Sequence, residues 1–121
     1  MTLKLASAVP GNGIAYLFPG QGAQAVGMGR QLHDSSRAAR AVFHAVDDAL
    51  DRPLSTLMFA GPSETLRETV NAQPAIMAVS LACMTAMQEH LGREDMPRPA
   101  MLAGHSLGEY TALAVAGVLT V

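Results

Sequence analysis

The sequence has no tryptophan, one cysteine, 4% aromatic residues and 15% charged residues. Too few aromatic rings are present to stack a run of bases. A formal net charge of −2 provides no basic footprint for nucleic acid. One cysteine, Cys83, cannot form an internal disulfide framework, which suits a reducing compartment. Met1–Pro10 lacks the long apolar core of a signal peptide. The longest uncharged apolar run, Pro74–Met87, is interrupted by Ser80 and Thr85 and falls short of the about 20 residues that span a bilayer. His33, His44, His90 and His105 show no metal-ligand spacing. The expectation is a soluble cytoplasmic protein with no nucleic-acid partner, no membrane partner and no metal.

What is present is a core-forming composition: half of the 121 residues are hydrophobic, enough for one domain. Ile14–Phe18 is a short run of strand formers bounded by Gly13 and Pro19. Pro19–Gln24 is punctuated as a loop, and Gly27 and Gly29 extend the irregular stretch. Ser35 or Ser36 caps a helix to Leu50, whose apolar positions Ala39, Val42, Phe43, Val46 and Leu50 repeat at helical spacing. Short helices follow over Pro53–Phe59 and from a Ser63 cap to Val70. Pro74 opens the longest helix and Gly92 stops it. That helix is apolar nearly all round, so it should be buried, with Cys83 as a small core hydrophobe and Met77, Met84 and Met87 as packing. Met101–Ala103 reads as a second buried strand and Leu107–Ala116 as a helix. Strand, helices, strand, turn and helix in this order indicate an α/β fold with a parallel sheet.

The turn before the last helix carries the chemistry. Gly104-His105-Ser106-Leu107-Gly108 is a G-x-S-x-G sequence between a predicted strand and a predicted helix. In that setting the serine sits on a sharp turn with its hydroxyl projecting from the sheet end, a nucleophile elbow. The Leu107 N–H then lies at a helix N-terminus, where unpaired N–H groups stabilise a developing oxyanion. The plainer alternative is a serine N-cap on an ordinary helix. A second oxyanion donor is expected from Gln21 in the Pro19–Gln24 loop, because loops after parallel strands open on one sheet edge. The phosphate-loop pattern G-x-x-x-x-G-K-[ST] is absent.

Three segments together resemble one family. "LFPGQGAQAVGMG" (Leu17–Gly29), "NAQPAIMAVSLA" (Asn71–Ala82) and "GHSLGEYTALAVAG" (Gly104–Gly117) are similar to the malonyl-CoA:acyl-carrier-protein transacylases of fatty-acid and polyketide synthesis. The resemblance implies Ser106 as the acyl-carrying nucleophile, with Gln21 and Leu107 as backbone oxyanion donors. It implies Gln73 and His105 as substrate-binding residues. It implies malonyl-CoA and a phosphopantetheinylated acyl carrier protein as substrates and partners, with no cofactor. The fold implied is the N-terminal part of an α/β-hydrolase-like parallel-sheet subdomain.

The same resemblance marks what the chain does not contain. The family's catalytic histidine, its carboxylate-binding arginine and its ferredoxin-like small subdomain fall beyond Val121. His105 is a poor base, since neighbouring side chains on a tight turn point apart. His33, His44 and His90 read as solvated side chains. The expectation is therefore an incomplete large subdomain over 1–121, with 1–12 as an N-terminal extension. Its missing C-terminal half would then be a possible separate partner chain. Two other readings are a serine hydrolase or thioesterase with the same elbow, and a non-catalytic piece of a split protein associating through its open sheet edge.

Overall fold

A computed structural model of the chain describes residues 13–120. The expected N-terminal extension lies outside the described residues. In chain order the elements are β1 (Ala15–Phe18), α1 (Arg30–Ser35), α2 (Arg37–Leu50), α3 (Leu54–Ala60), α4 (Ser63–Arg67), α5 (Thr69–Leu91), β2 (Met101–Gly104) and α6 (Leu107–Val115). The strands pair in parallel, with Ala15 opposite Met101 and Phe18 opposite Gly104. Parallel pairing places the loops after β1 and β2 at the same end of the sheet, as expected from the sequence. Tyr16 extends this union: its hydroxyl donates to the Pro97 carbonyl at 2.5 Å, tying β1 to the connector before β2. Partial burial pushes the Tyr16 phenol pKa up, so it remains a donor.

The core lies between α5 and the other helices. Phe43 from α2, Leu54 and Met58 from α3, Leu66 from α4, Leu81 and Met84 from α5 and Val115 from α6 form one buried cluster with Phe18. Ser36 is the cap of α2: its hydroxyl accepts the Ala39 N–H at 3.0 Å. That hydroxyl also donates to Glu89 of α5 at 2.5 Å, and Glu89 accepts the Ala38 N–H as well. A carboxylate at a helix N-terminus is well matched to the free N–H groups there.

These bonds hold the Glu89 carboxyl below the ordinary glutamate range, chiefly through Ser36 and then through Ala38. A depressed folded-state pKa contributes stability above the unfolded value, about 4.3, and that contribution is lost as pH falls through the folded value. Glu89→Gln is expected to flatten the acid side of the stability curve. Thermal midpoints from pH 7 down to pH 3 check this, and parallel curves for the two proteins would refute it.

Several expectations need correction. Arg30–Ser35 is helical although the glycines before it predict irregular chain; Gly29, at φ 78°, turns the backbone into α1, and Arg30 pairs with Asp34 at 3.0 Å one turn on. Ser63 is the first residue of α4 and makes no capping bond, and α4 ends at Arg67 rather than Val70.

Pro74 does not open the long helix but sits inside it, because α5 begins at Thr69. A proline there removes the N–H that would bond the carbonyl of Val70. Arg52 compensates, its Nη2 donating to that carbonyl at 2.9 Å and its Nη1 to the Asn71 side chain.

At 23 residues, α5 is by length and composition long and apolar enough to cross a membrane, contrary to the reading of Pro74–Met87. Here Ala75, Ala78, Leu81, Ala82 and Met84 line the core against the other helices. The helix is not buried all round. Cys83 is exposed, on the rim of a groove of about 400 Å³ formed with β1, Val79 and Met87. Nearby apolar surface still pushes its thiol pKa up. With two described strands, Leu17 (74% exposed) and Met101 (58% exposed) leave apolar sheet surface open, as the sequence predicts.

Candidate active site

β2 ends at Gly104, and the His105 N–H donates to the Phe18 carbonyl at 3.1 Å, carrying the sheet ladder one residue further. The chain then reverses through Ser106, which has φ 53° and ψ −115°, and α6 begins at Leu107. This is a backbone region that L-residues with a Cβ rarely occupy. The turn closes with the Gly108 N–H on the His105 carbonyl at 2.9 Å and the Glu109 N–H on the Ser106 carbonyl at 3.0 Å. Ser106 is exposed at the tip.

Glycines make this crossing sterically possible. A Cβ on Gly104 would lie 2.0 Å from the Gly108 backbone, and one on Gly108 would lie 2.1 Å from the Phe18 carbonyl oxygen. The β1 loop fits against the turn by the same means. A Cβ on Gly20 would lie 2.5 Å from the His105 carbonyl oxygen and 3.0 Å from its Nδ1. Gly20 therefore brings the Pro19–Gln24 loop into van der Waals contact with the residue preceding Ser106.

Within that loop the Gly22 N–H donates to the Gln24 side chain at 2.8 Å and the Ala23 N–H to the Gly20 carbonyl at 3.4 Å. Among the described residues no acceptor takes the N–H of Gln21 or of Leu107. The two residues named from sequence as oxyanion donors thus keep their N–H groups available, one in the loop abutting the turn and one at the start of α6. The Gln21 side chain is held elsewhere: its Nε2 donates to the Thr69 hydroxyl at 3.0 Å.

The remaining sequence-derived residues are distributed around this centre. His105 is exposed, its ring lies beside Gly20, and neither ring nitrogen bonds Ser106 among the described residues. Gln73 is half-buried on the second turn of α5, without a described hydrogen bond to Ser106 or His105. His44 and His90 are exposed, as expected. His33 departs from expectation, packing between Phe59 and Phe43 with ring centroids 5.2 Å and 6.1 Å away. Its sequence neighbours in the short α1 carry no apolar period that would reveal this. No group of three or more metal-binding side chains is found among the described residues.

Three residues near the site were not singled out from sequence. Thr111, one turn into α6, is fully buried with no described partner for its hydroxyl. Thr69 and Arg52 contact the Gln21 side chain and the first turn of α5. Their partners are distant in sequence, so no local pattern marks them.

Comparison with known proteins gives a consistent result. Residues 15–121 match the family described as the acyl transferase domain. The chain is 45% identical over 107 residues to a malonyl CoA-acyl carrier protein transacylase of Bacillus subtilis, covering 88% of this chain and 32% of that protein. It superposes on the crystal structure of an acyl-carrier-protein S-malonyltransferase from Bartonella henselae with a TM-score of 0.81 at 52% identity, covering 87% of this chain and 33% of that one. A similar match, TM-score 0.80 at 40% identity over 88% of this chain and 33% of the other, is a malonyl-transacylase solved in complex with a type II polyketide acyl-carrier protein. The chain thus spans about a third of the length of these relatives. The strand–serine–helix turn, the glycine-dependent loop against it and a family match from Ala15 onward agree, and the chain belongs to the acyl transferase domain family.

Proposed function

We propose that Ser106 carries a malonyl group between malonyl-CoA and the phosphopantetheine thiol of an acyl carrier protein. The observation that carries this reading is the exposed Ser106 turn, with the Leu107 N–H at the start of α6 and the Gln21 N–H in the loop packed against His105 both without a described acceptor. In the first step Ser106 Oγ attacks the thioester carbonyl and loses its proton to a base. The tetrahedral oxyanion accepts hydrogen bonds from the Gln21 and Leu107 N–H groups. The C–S bond breaks, coenzyme A leaves as its protonated thiol, and malonate remains as a serine ester. In the second step the carrier thiol attacks that ester, and Ser106 recovers its proton. Gln73 and His105 contribute to substrate binding. The reaction uses side chains and backbone N–H groups and calls for no resident metal or cofactor. Relatives named for malonyl transfer, one solved with an acyl-carrier protein, support the choice of acyl group and acceptor.

None of the described histidines is hydrogen-bonded to Ser106. Turnover by the 121-residue chain alone is accordingly expected several orders of magnitude below that of an enzyme with its base in place. The test supplies malonyl-CoA with and without the phosphopantetheinylated carrier and follows both products by mass spectrometry. Malonyl carrier protein is the expected product. Free malonate formed at a rate indifferent to the carrier would instead establish a serine hydrolase built on the same elbow.

A further inference from the structure

The loop that presents the Gln21 N–H has little internal support. It is flanked by Gly20 and Gly22, and of its two internal bonds one is long, at 3.4 Å. Gly20 fixes one side of it against His105. The other side is tied by a single side-chain bond, Gln21 Nε2 to Thr69 Oγ1 at 3.0 Å, across 48 residues of sequence.

Thr69 is the first residue of α5, a helix end weakened by Pro74. The end is nevertheless well anchored. Arg52 occupies the Val70 carbonyl that Pro74 leaves free, at 2.9 Å, and also holds the Asn71 side chain. Asn71 Nδ2 in turn donates to the Thr65 carbonyl at 2.8 Å, fixing α5 to α4. A cation on a carbonyl near the start of a helix is otherwise poorly placed against the helix dipole. Its position is accounted for by the missing proline N–H.

We infer that Thr69 is a positioning residue for the Gln21 N–H, held in place by Arg52 through the first turn of α5. The inference rests on the reading of Gln21 as an oxyanion donor. Thr69 touches no reacting atom and acts only by aiming the loop. Loss of its hydroxyl frees the loop to rotate the N–H away from the oxyanion, a small displacement with a kinetic consequence.

The test compares the protein with Thr69→Val, which keeps the shape and removes the acceptor, and with Thr69→Ser, which restores it. Single-turnover acylation of Ser106 by saturating malonyl-CoA is expected to slow about tenfold in Thr69→Val, the weight of one hydrogen bond in the transition state. Amide exchange over residues 20–24 is expected to quicken in the same variant. Thr69→Ser is expected to recover both, with thermal midpoints unchanged because Thr69 is exposed. Acylation of Thr69→Val at the unsubstituted rate overturns the inference. So does a Thr69→Ser protein as slow as Thr69→Val, which would assign the effect to shape. If the unsubstituted protein forms no adduct on the timescale of the assay, the slow turnover expected without a bonded base accounts for it and the Ser106 reading stands. Exchange then decides on Thr69 alone: quickened exchange in Thr69→Val upholds its hold on the loop, and unchanged exchange overturns it.

Discussion

Ser106→Gly is expected to make the protein more stable while abolishing its acylation. Ser106 sits at φ 53° and ψ −115°, a conformation costing of order 1–3 kcal/mol for a residue with a Cβ. Glycine adopts it freely, against an unfolded-state entropy penalty of about 0.5–1 kcal/mol. Ser106 is exposed and makes no described side-chain hydrogen bond, so the substitution removes no packing. The net gain is about 1 kcal/mol, enough to raise the melting midpoint by roughly 4 °C in a domain of this size. Acylation at this position needs the serine oxygen and is expected to disappear. Thermal melts and single-turnover acylation on the same preparations check both halves. A lowered midpoint would mean that the turn is unstrained and that a serine N-cap describes it better.

The second large effect comes from the glycines on either side. In Gly104→Ala the new methyl carbon would fall 2.0 Å from the Gly108 backbone, and in Gly108→Ala 2.1 Å from the Phe18 carbonyl oxygen. The obstructing atoms are backbone, so no rotamer change relieves the clash. Overpacking costs typically 1–3 kcal/mol even where side chains give way; about 3 kcal/mol is expected here. The strand–helix crossing must open, and the serine moves relative to the β1 loop. A displacement near 1 Å costs about a hundredfold in rate. Urea unfolding should show a lower midpoint at unchanged slope, with acylation falling alongside it. Either variant melting and acylating like the unsubstituted protein would refute the close crossing.

Legibility in the sequence followed the range of the interactions. Leu107–Gly108 and the residues before them declare the elbow because the signal is local: an apolar strand, a G-x-S-x-G turn and an apolar helix in succession. The parallel pairing of β1 and β2 was equally accessible, since intervening helices leave few other ways to join two buried strands. Pro74 misled because proline is ordinarily a first-turn residue. Only the Arg52 guanidinium, 18 residues from Val70, shows how the helix extends before it. Cys83 misled for the opposite reason. Its apolar neighbours predict burial, yet α5 has one flank on the core and another beside an open groove, and the near-uniform apolar composition of Ala75–Met87 does not tell the two flanks apart. The bond from Gln21 to Thr69 and the packing of His33 on Phe59 depend on tertiary placement, and no periodicity encodes either.

The most direct measurement is the site of covalent labelling. The protein is mixed with malonyl-CoA, quenched in acid and digested, and the malonylated peptide is sequenced by tandem mass spectrometry. The expected result is one malonyl ester on Ser106, absent from Ser106→Gly and lost when phosphopantetheinylated carrier protein is added before the quench. A malonyl group on any other residue, or an adduct that persists in Ser106→Gly, would contradict the assignment of Ser106 as the nucleophile.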